Sequence, residues 1–343
     1  MVRILGMSRP AHSETIPAAA LPSPFRPARG AWNAHVQTIG GKYLRPSVEL
    51  PVVRERWDTP DGDFLDLDFV APPRHHAPWV LILHGLEGHS ERPYVRCAAA
   101  ALHRRGVGVV AMNFRACSGE PNRRARTYHS GETEDLRFVL SVLRARFATS
   151  PLGALGVSLG GNVLLKYLAE EGPDAPLAAA VAVSVPYDLE AGSRLLERTR
   201  FGRIYTHYFL RSLVAKVEEK AHLVGDEVDL EAVRAARTLR EFDDALTAPL
   251  HGFRDAIDYY TLSSSGPRLP EIRTPTLLLH AEDDPFIPFD AVPLKAMRDN
   301  PLIHPVITRR GGHVGFLRGS LRQPGLWAEE SAARFLDVLL GTP

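Results

Sequence analysis

Cysteine is almost missing from this sequence. Cys97 and Cys117 are the two present, too few for a disulfide framework and spaced neither as CxxC nor as zinc ligands. A reducing compartment is therefore expected, and the cytoplasm is the expected location. No run of about 18 apolar residues occurs, and the first thirty residues, with Arg3, Pro10 and His12, lack the apolar centre of a secretion signal. Neither export nor a membrane span is expected, which leaves peripheral contact with a membrane open. Surplus charge is missing as well: 41 basic residues face 40 acidic ones, for a formal charge of +1. Such a balance gathers no polyanion, so nucleic acid is not an expected partner. The densest basic cluster, Arg123, Arg124 and Arg126, reads as a solvated loop. There is no HExxH, and Glu87 and His89 fit no metal spacing, so neither a metal nor an organic cofactor is expected.

What is present is an ordinary globular composition, 45% hydrophobic and 24% charged over 343 residues, enough for one elaborated domain with a sizeable core. Residues 1–31, rich in Ala, Pro and Arg without period, read as an arm that drapes over a domain formed by residues 32–343. Near its start Asp61-Gly62-Asp63 reads as a hairpin turn, with Leu65, Leu67 and Phe69 alternating with Asp66 and Asp68 in the returning strand. Short apolar runs then recur, each followed by a helix-length segment: Val80 to Leu83, Val107 to Met112, Leu152 to Leu155, Ala178 to Val185, Thr276 to His280 and Ile303 to Thr308. Near-continuous apolar strands are those covered by helices on both faces, which gives an α/β fold around a mostly parallel sheet. Between Pro186 and Pro270 the strand rhythm stops and helical spacing takes over, as in Ile204, Tyr205, Tyr208 and Phe209, so residues 186–270 read as a helical insertion able to roof a pocket.

Gly156-Val157-Ser158-Leu159-Gly160 follows the Leu152 strand directly and precedes a helical stretch. A bare GxSxG is weak evidence. The strand before it and the helix after it make it a nucleophile elbow, in which a strained turn thrusts the serine out. Serine is a weak nucleophile at neutral pH and needs a base, which in turn needs a partner to fix its tautomer. Both are found downstream in the order that such a site requires. Glu282-Asp283-Asp284-Pro285 follows the Thr276 strand, and Gly311-Gly312-His313-Val314-Gly315 follows the Ile303 strand. His313, flanked by glycines on a loop, is the candidate base. Asp284 is preferred as the acid because it stands just before the Pro285 to Pro288 turn, and Asp283 is the alternative. Oxyanion donors are expected from the backbone amides of Leu159, next to the nucleophile, and of Leu86, in the His84 to Gly88 loop. His84 reads as a structural hydrogen-bonding residue.

With these motifs the chain resembles the YheT-like branch of the α/β-hydrolases, a family of predicted esterases. The likeness extends over about residues 24–340 and rests on Asn33-Ala34-His35-Val36-Gln37-Thr38, on Asn113 to Glu120, on Tyr128-His129-Ser130-Gly131-Glu132 and on Phe242-Asp243-Asp244. The resemblance implies an α/β-hydrolase fold with a helical lid and a triad of Ser158, Asp284 and His313. It further implies cleavage of a small-molecule or lipid-like carboxylic ester. An acyltransferase or thioesterase on the same triad, or a silent binding protein, are the competing readings. The family pattern usually has glycine at Ala116; alanine is tolerated there unless the backbone needs a positive φ.

Overall fold

In the computed structural model, which describes residues 16–225 and 228–341, the apolar runs form one eight-stranded sheet. The strands are β1 (Val52–Asp58), β2 (Phe64–Val70), β3 (Trp79–Leu83), β4 (Gly108–Met112), β5 (Leu152–Val157), β6 (Ala179–Val183), β7 (Thr276–Ala281) and β8 (Ile303–Thr308). Their spatial order is β1-β2-β4-β3-β5-β6-β7-β8. The hairpin at Asp61 to Asp63 pairs β1 with β2, and β2 runs antiparallel to β4; from β4 onward all pairs are parallel.

The continuous apolar strands have the physical cause expected of them, because alternate side chains enter two separate cores. Leu81 and Leu83 join the core on one face, packed with the helices Glu134–Arg146 and Leu159–Glu171, while Val80 and Ile82 join the other, with Pro93–His103 and Trp327–Leu340. Each such fully buried side chain contributes about 2 kcal/mol of burial free energy.

Two strands are shorter than the runs expected from the sequence. Val107, Ala178 and Val185 lie outside their strands, and β6 ends where Ser184 turns to φ +51°. Strand β2 also departs from simple alternation: Asp66 and Asp68 are buried together with Leu65, Leu67 and Phe69. Arg56 and Arg54 on β1 cap them at 2.8 and 2.6 Å. Burial opposes their ionisation, but the arginine hydrogen bonds outweigh it and hold both carboxyls below their usual range.

Of the arm expected over residues 1–31, residues 1–15 lie outside the described residues. Residues 16–31 lie along the body, where Phe25 packs between Phe316 and Trp327 and Trp327 Nε1 donates to the Ser23 carbonyl at 2.8 Å. The segment between β6 and β7 is helical and holds a small core of its own around Leu210, Val217, Val233, Phe242 and Leu246.

Candidate active site

The site is built at the C-terminal ends of β5, β7 and β8, where three loops converge. Ser158 sits between β5 and the helix Leu159–Glu171 with φ +53° and ψ −119°, a conformation that L-residues rarely adopt. Its flanking residues must be glycine because two backbones cross there. A Cβ on Gly156 would lie 2.5 Å from the Gly160 carbonyl oxygen, and one on Gly160 would lie 2.5 Å from that of His84. The turn is further held by the Ser158 amide donating to the Val183 carbonyl at 2.8 Å.

The structure brings Ser158, His313 and Asp284 into one hydrogen-bonded chain. His313 Nε2 is 2.9 Å from Ser158 Oγ, and His313 Nδ1 is 2.8 and 3.1 Å from the two Asp284 oxygens. A carboxylate only accepts, so Nδ1 carries the proton and donates it, leaving the Nε2 lone pair facing the serine hydroxyl. The Asp284 side chain is out of solvent, and its Oδ1 also accepts from the Phe286 amide at 2.9 Å. Asp283 points elsewhere. Its Oδ1 accepts from the Gly312 amide at 2.9 Å, and burial raises its carboxyl above the usual range.

Around the expected oxyanion donors, the loop from His84 to Gly88 has most of its amides engaged. Gly85 N donates to Tyr94 OH (2.8 Å), Glu87 N to Tyr128 OH (2.9 Å) and Gly88 N to Gly85 O (2.9 Å). The Leu86 amide has no acceptor among the described residues. The Leu159 amide lies in the first turn of its helix, where no intrahelical acceptor exists. His84 takes the amide of Phe114 on Nε2 at 3.2 Å and donates from Nδ1 to the Gly85 carbonyl at 2.8 Å. Burial pushes its pKa down to about 3, so it stays neutral and braces the loop.

Several residues that hold the site in place had no assigned role in the sequence reading. Helix α1 (Ala34–Tyr43) is capped by Asn33 and lies against the loop carrying His313. Thr38 Oγ1 accepts from the His313 amide at 2.9 Å and donates to the Ala34 carbonyl at 2.8 Å. Gln37, wholly buried, accepts from the Leu317 amide and donates to the carbonyls of Ala31 and Leu317. The Asn33 to Thr38 motif was visible in the sequence as a polar cluster, but its partners are some 275 to 280 residues away.

The motif from Tyr128 to Glu132 anchors the loop ahead of the helix Glu134–Arg146. Tyr128 OH donates to Glu87 at 2.8 Å, and Glu132 accepts from the Glu134 and Asp135 amides. Arg115 is buried among Asp61, Asp63 and Asp135. Its neighbour Ala116 has φ +58°, so the tolerance expected of alanine there carries a strain cost. In the basic cluster, Arg123 pairs with Asp58 and Arg126 with Glu132 and Glu134.

The helical segment touches both halves of the site. From the helix Arg200–Glu219, Lys216 and Ser212 bond Glu87 in the His84 to Gly88 loop, the lysine at 2.8 Å. Tyr205 and Phe209 pack on Phe286, which stacks on the His313 ring at 4.3 Å. Beneath the segment lies a cavity of about 530 Å³ that reaches Ser158 and His313, with Leu86, Leu196, Phe209 and Leu213 among its walls. Polar groups, Lys216, Lys220 and Asp243 among them, also border it. Asp243 lies in a π-helical turn, accepts from Tyr260 OH at 2.7 Å, and is pushed up to about 6 by burial. Among the described residues no group of three or more His, Cys, Asp or Glu could hold a metal ion, and no helix is long and apolar enough to cross a membrane.

Comparison with known proteins gives a consistent pattern. Residues 78–319 match the sequence signature of the alpha/beta hydrolase fold. Over 320 residues the chain is 42% identical to YheT of Escherichia coli (strain K12), named as a candidate esterase, with 92% of this chain and 94% of that one covered. Over 327 residues it is 32% identical to phospholipase ABHD3 of Bos taurus, covering 92% of this chain and 79% of that one. Among solved structures, the esterase Pf2001 of Pyrococcus furiosus superposes with a TM-score of 0.52 over 78% of this chain and 84% of its own, at 17% identity, a likeness of fold.

Proposed function

The chain belongs to the α/β-hydrolase family, in its YheT-like branch, and on that premise we propose that it is a serine carboxylesterase that cleaves an acyl ester through an acyl-enzyme. The observation that carries the reading is the unbroken chain of hydrogen bonds from Ser158 through His313 to Asp284.

In the first half-reaction Ser158 Oγ attacks the ester carbonyl while its proton passes to His313 Nε2, and Asp284 stabilises the imidazolium so formed. The developing oxyanion takes hydrogen bonds from the Leu86 and Leu159 amides, which need no reorganisation to receive it. Collapse breaks the C–O bond, and His313 returns the proton to the departing alcohol. Water then enters, loses a proton to His313, and releases the acid and free Ser158.

The cavity walls at Leu196, Phe209 and Leu213 support an apolar acyl group as the part bound there. ABHD3, by name a phospholipase, supports a lipid ester as the substrate class. The helical segment over the cavity acts in this reading as a lid. The buried free thiols of Cys97 and Cys117 support a reducing compartment, the cytoplasm.

The test is labelling of the purified protein by a fluorophosphonate probe, together with turnover of an acyl ester. Wild type labels stoichiometrically. Ser158→Ala neither labels nor turns over, with a loss on the order of 10⁴-fold or more in an intact fold. Turnover of the variant within about tenfold of wild type would contradict the assignment. Transfer of the acyl group to an added alcohol in preference to water, which is in large excess, would instead mark an acyltransferase.

A further inference from the structure

Two neighbouring helices display apolar stripes to solvent rather than to a core. Along α1 and the residue before its cap, Trp32, Val36, Ile39 and Tyr43 recur at helical spacing, with Trp32 60% and Tyr43 70% exposed. On the helix Arg200–Glu219, Phe201, Ile204 and Tyr208 do the same, at 47%, 57% and 46%. This spacing ordinarily marks the buried side of a helix.

The two helices are locked side by side, so the stripes form one face. His35 stacks on Phe201 at 4.0 Å and is 3.0 Å from Tyr205 OH, and Lys42 Nζ donates to Tyr208 OH at 2.8 Å. Ile39, Tyr43, Ile204 and Tyr208 also border the cavity that holds Ser158, which places the face around the cavity mouth.

The charge on this face is mainly positive. Neither residues 16–48 nor residues 198–217 contain an aspartate or a glutamate. Arg200, Arg203 and Arg211 are exposed on the lid helix, Arg310 reaches the Trp32 carbonyl at 3.1 Å, and Arg92 joins Lys42 beside the Tyr208 hydroxyl. The carboxylate that acts on His35 is Asp283, which is half-buried and accepts from the Gly312 amide. A second copy of the chain docked symmetrically would bring these cations against their own kind. Exposed aromatic and aliphatic side chains edged by more cations than carboxylates match the interface of an anionic bilayer.

We propose that the α1 and lid-helix face docks on phospholipid bilayers containing anionic lipid and sets the cavity mouth against the membrane surface. Docking stands apart from hydrolysis, so the inactive Ser158→Ala protein binds as wild type does.

The experiment is co-sedimentation of the full chain with vesicles of phosphatidylcholine alone and of phosphatidylcholine mixed with phosphatidylglycerol, at low and high salt. Binding to the mixed vesicles is expected, weaker at high salt and weaker still without phosphatidylglycerol. Two double variants, Trp32→Ser with Val36→Ser and Arg200→Glu with Arg203→Glu, should each lower partitioning at least about tenfold, since each arginine near such a surface contributes roughly fivefold. Both variants should keep wild-type turnover of a water-soluble ester. The glutamates fall in the first turn of a helix, where acidic residues are favoured, so that variant folds. Three results would overturn the proposal: no binding to the mixed vesicles, undiminished binding by both variants, or a solution dimer that the Trp32 and Val36 changes dissolve.

Discussion

Exchanging a single oxygen for an amide in the acid should stop the reaction by reversing the histidine tautomer, and the structure shows how. In Asp284→Asn the amide oxygen is retained where Oδ1 now accepts from the Phe286 amide at 2.9 Å. The NH₂ then occupies the Oδ2 position, 2.8 Å from His313 Nδ1. Because it donates, Nδ1 must give up its proton, which moves to Nε2. Ser158 Oγ, 2.9 Å away, then faces an N–H instead of a lone pair, and the base is lost. The expected fall in kcat is on the order of 10⁴, a barrier increase of about 5.5 kcal/mol. The control is one residue away. Asp283 serves as acceptor for the Gly312 amide, and an asparagine oxygen can do the same, so Asp283→Asn should remain within about tenfold of wild type. Initial rates on a p-nitrophenyl ester, with melting curves to show that both variants fold, decide the matter. A larger loss in Asp283→Asn than in Asp284→Asn would refute the reasoning.

Three further outcomes are expected. Ala116→Gly relieves a left-handed backbone at φ +58° and should stabilise the protein by roughly 0.5–1 kcal/mol in urea melts, so an unchanged or lower midpoint would count against strain there. Thr38→Val keeps the volume but leaves the His313 amide unpaired; ester turnover and fluorophosphonate labelling should fall together by about tenfold, with equal rates in both proteins contradicting a positioning role. Acid should destabilise the protein below pH 6.5. Burial depresses His84 to about 3, His251 and His280 to about 4, and His129 well below the usual value, so these four are neutral when folded and protonated when unfolded. Their stabilising effect is lost as pH falls below 6.5. Asp243, raised to about 6, and Asp283, also raised, act in the opposite sense between pH 6 and 4. The imidazoles outnumber the two carboxyls, so unfolding takes up protons on balance and stability should fall as pH drops from 6.5 toward 5. A flat stability profile in that range would mean that these imidazoles are hydrated.

The lid helix binds both halves of the site to one element. Lys216 and Ser212 hold Glu87 beside the Leu86 amide, and Tyr205 and Phe209 back the Phe286 ring that lies on His313. A displacement of that helix would loosen the His84 to Gly88 loop and the imidazole at once, which makes its seating a condition of the geometry.

What the sequence determined by itself was local in origin. The elbow around Ser158 is legible because a strained turn between strand and helix demands glycine where two backbones cross, and Gly156 and Gly160 stand within a few residues of the serine that they serve. The sheet was legible because strands buried on both faces must be apolar throughout. Other features were decided only in three dimensions. Asp283 and Asp284 are adjacent in the chain, and which of them meets His313 depends on how the turn after β7 aims each carboxylate. Thr38 and Gln37 act on a loop far along the chain, so no spacing rule could pair them with it. Asp66 and Asp68 read as solvent-facing until Arg54 and Arg56 cover them. The glycine usual at position 116 raised the question of a positive φ there, and only the packing around Ala116 answered it. The apolar stripes on α1 and the lid helix carry the same periodicity as core helices. Periodicity identifies an apolar side, and only the arrangement of neighbouring elements decides whether that side meets protein or is left open.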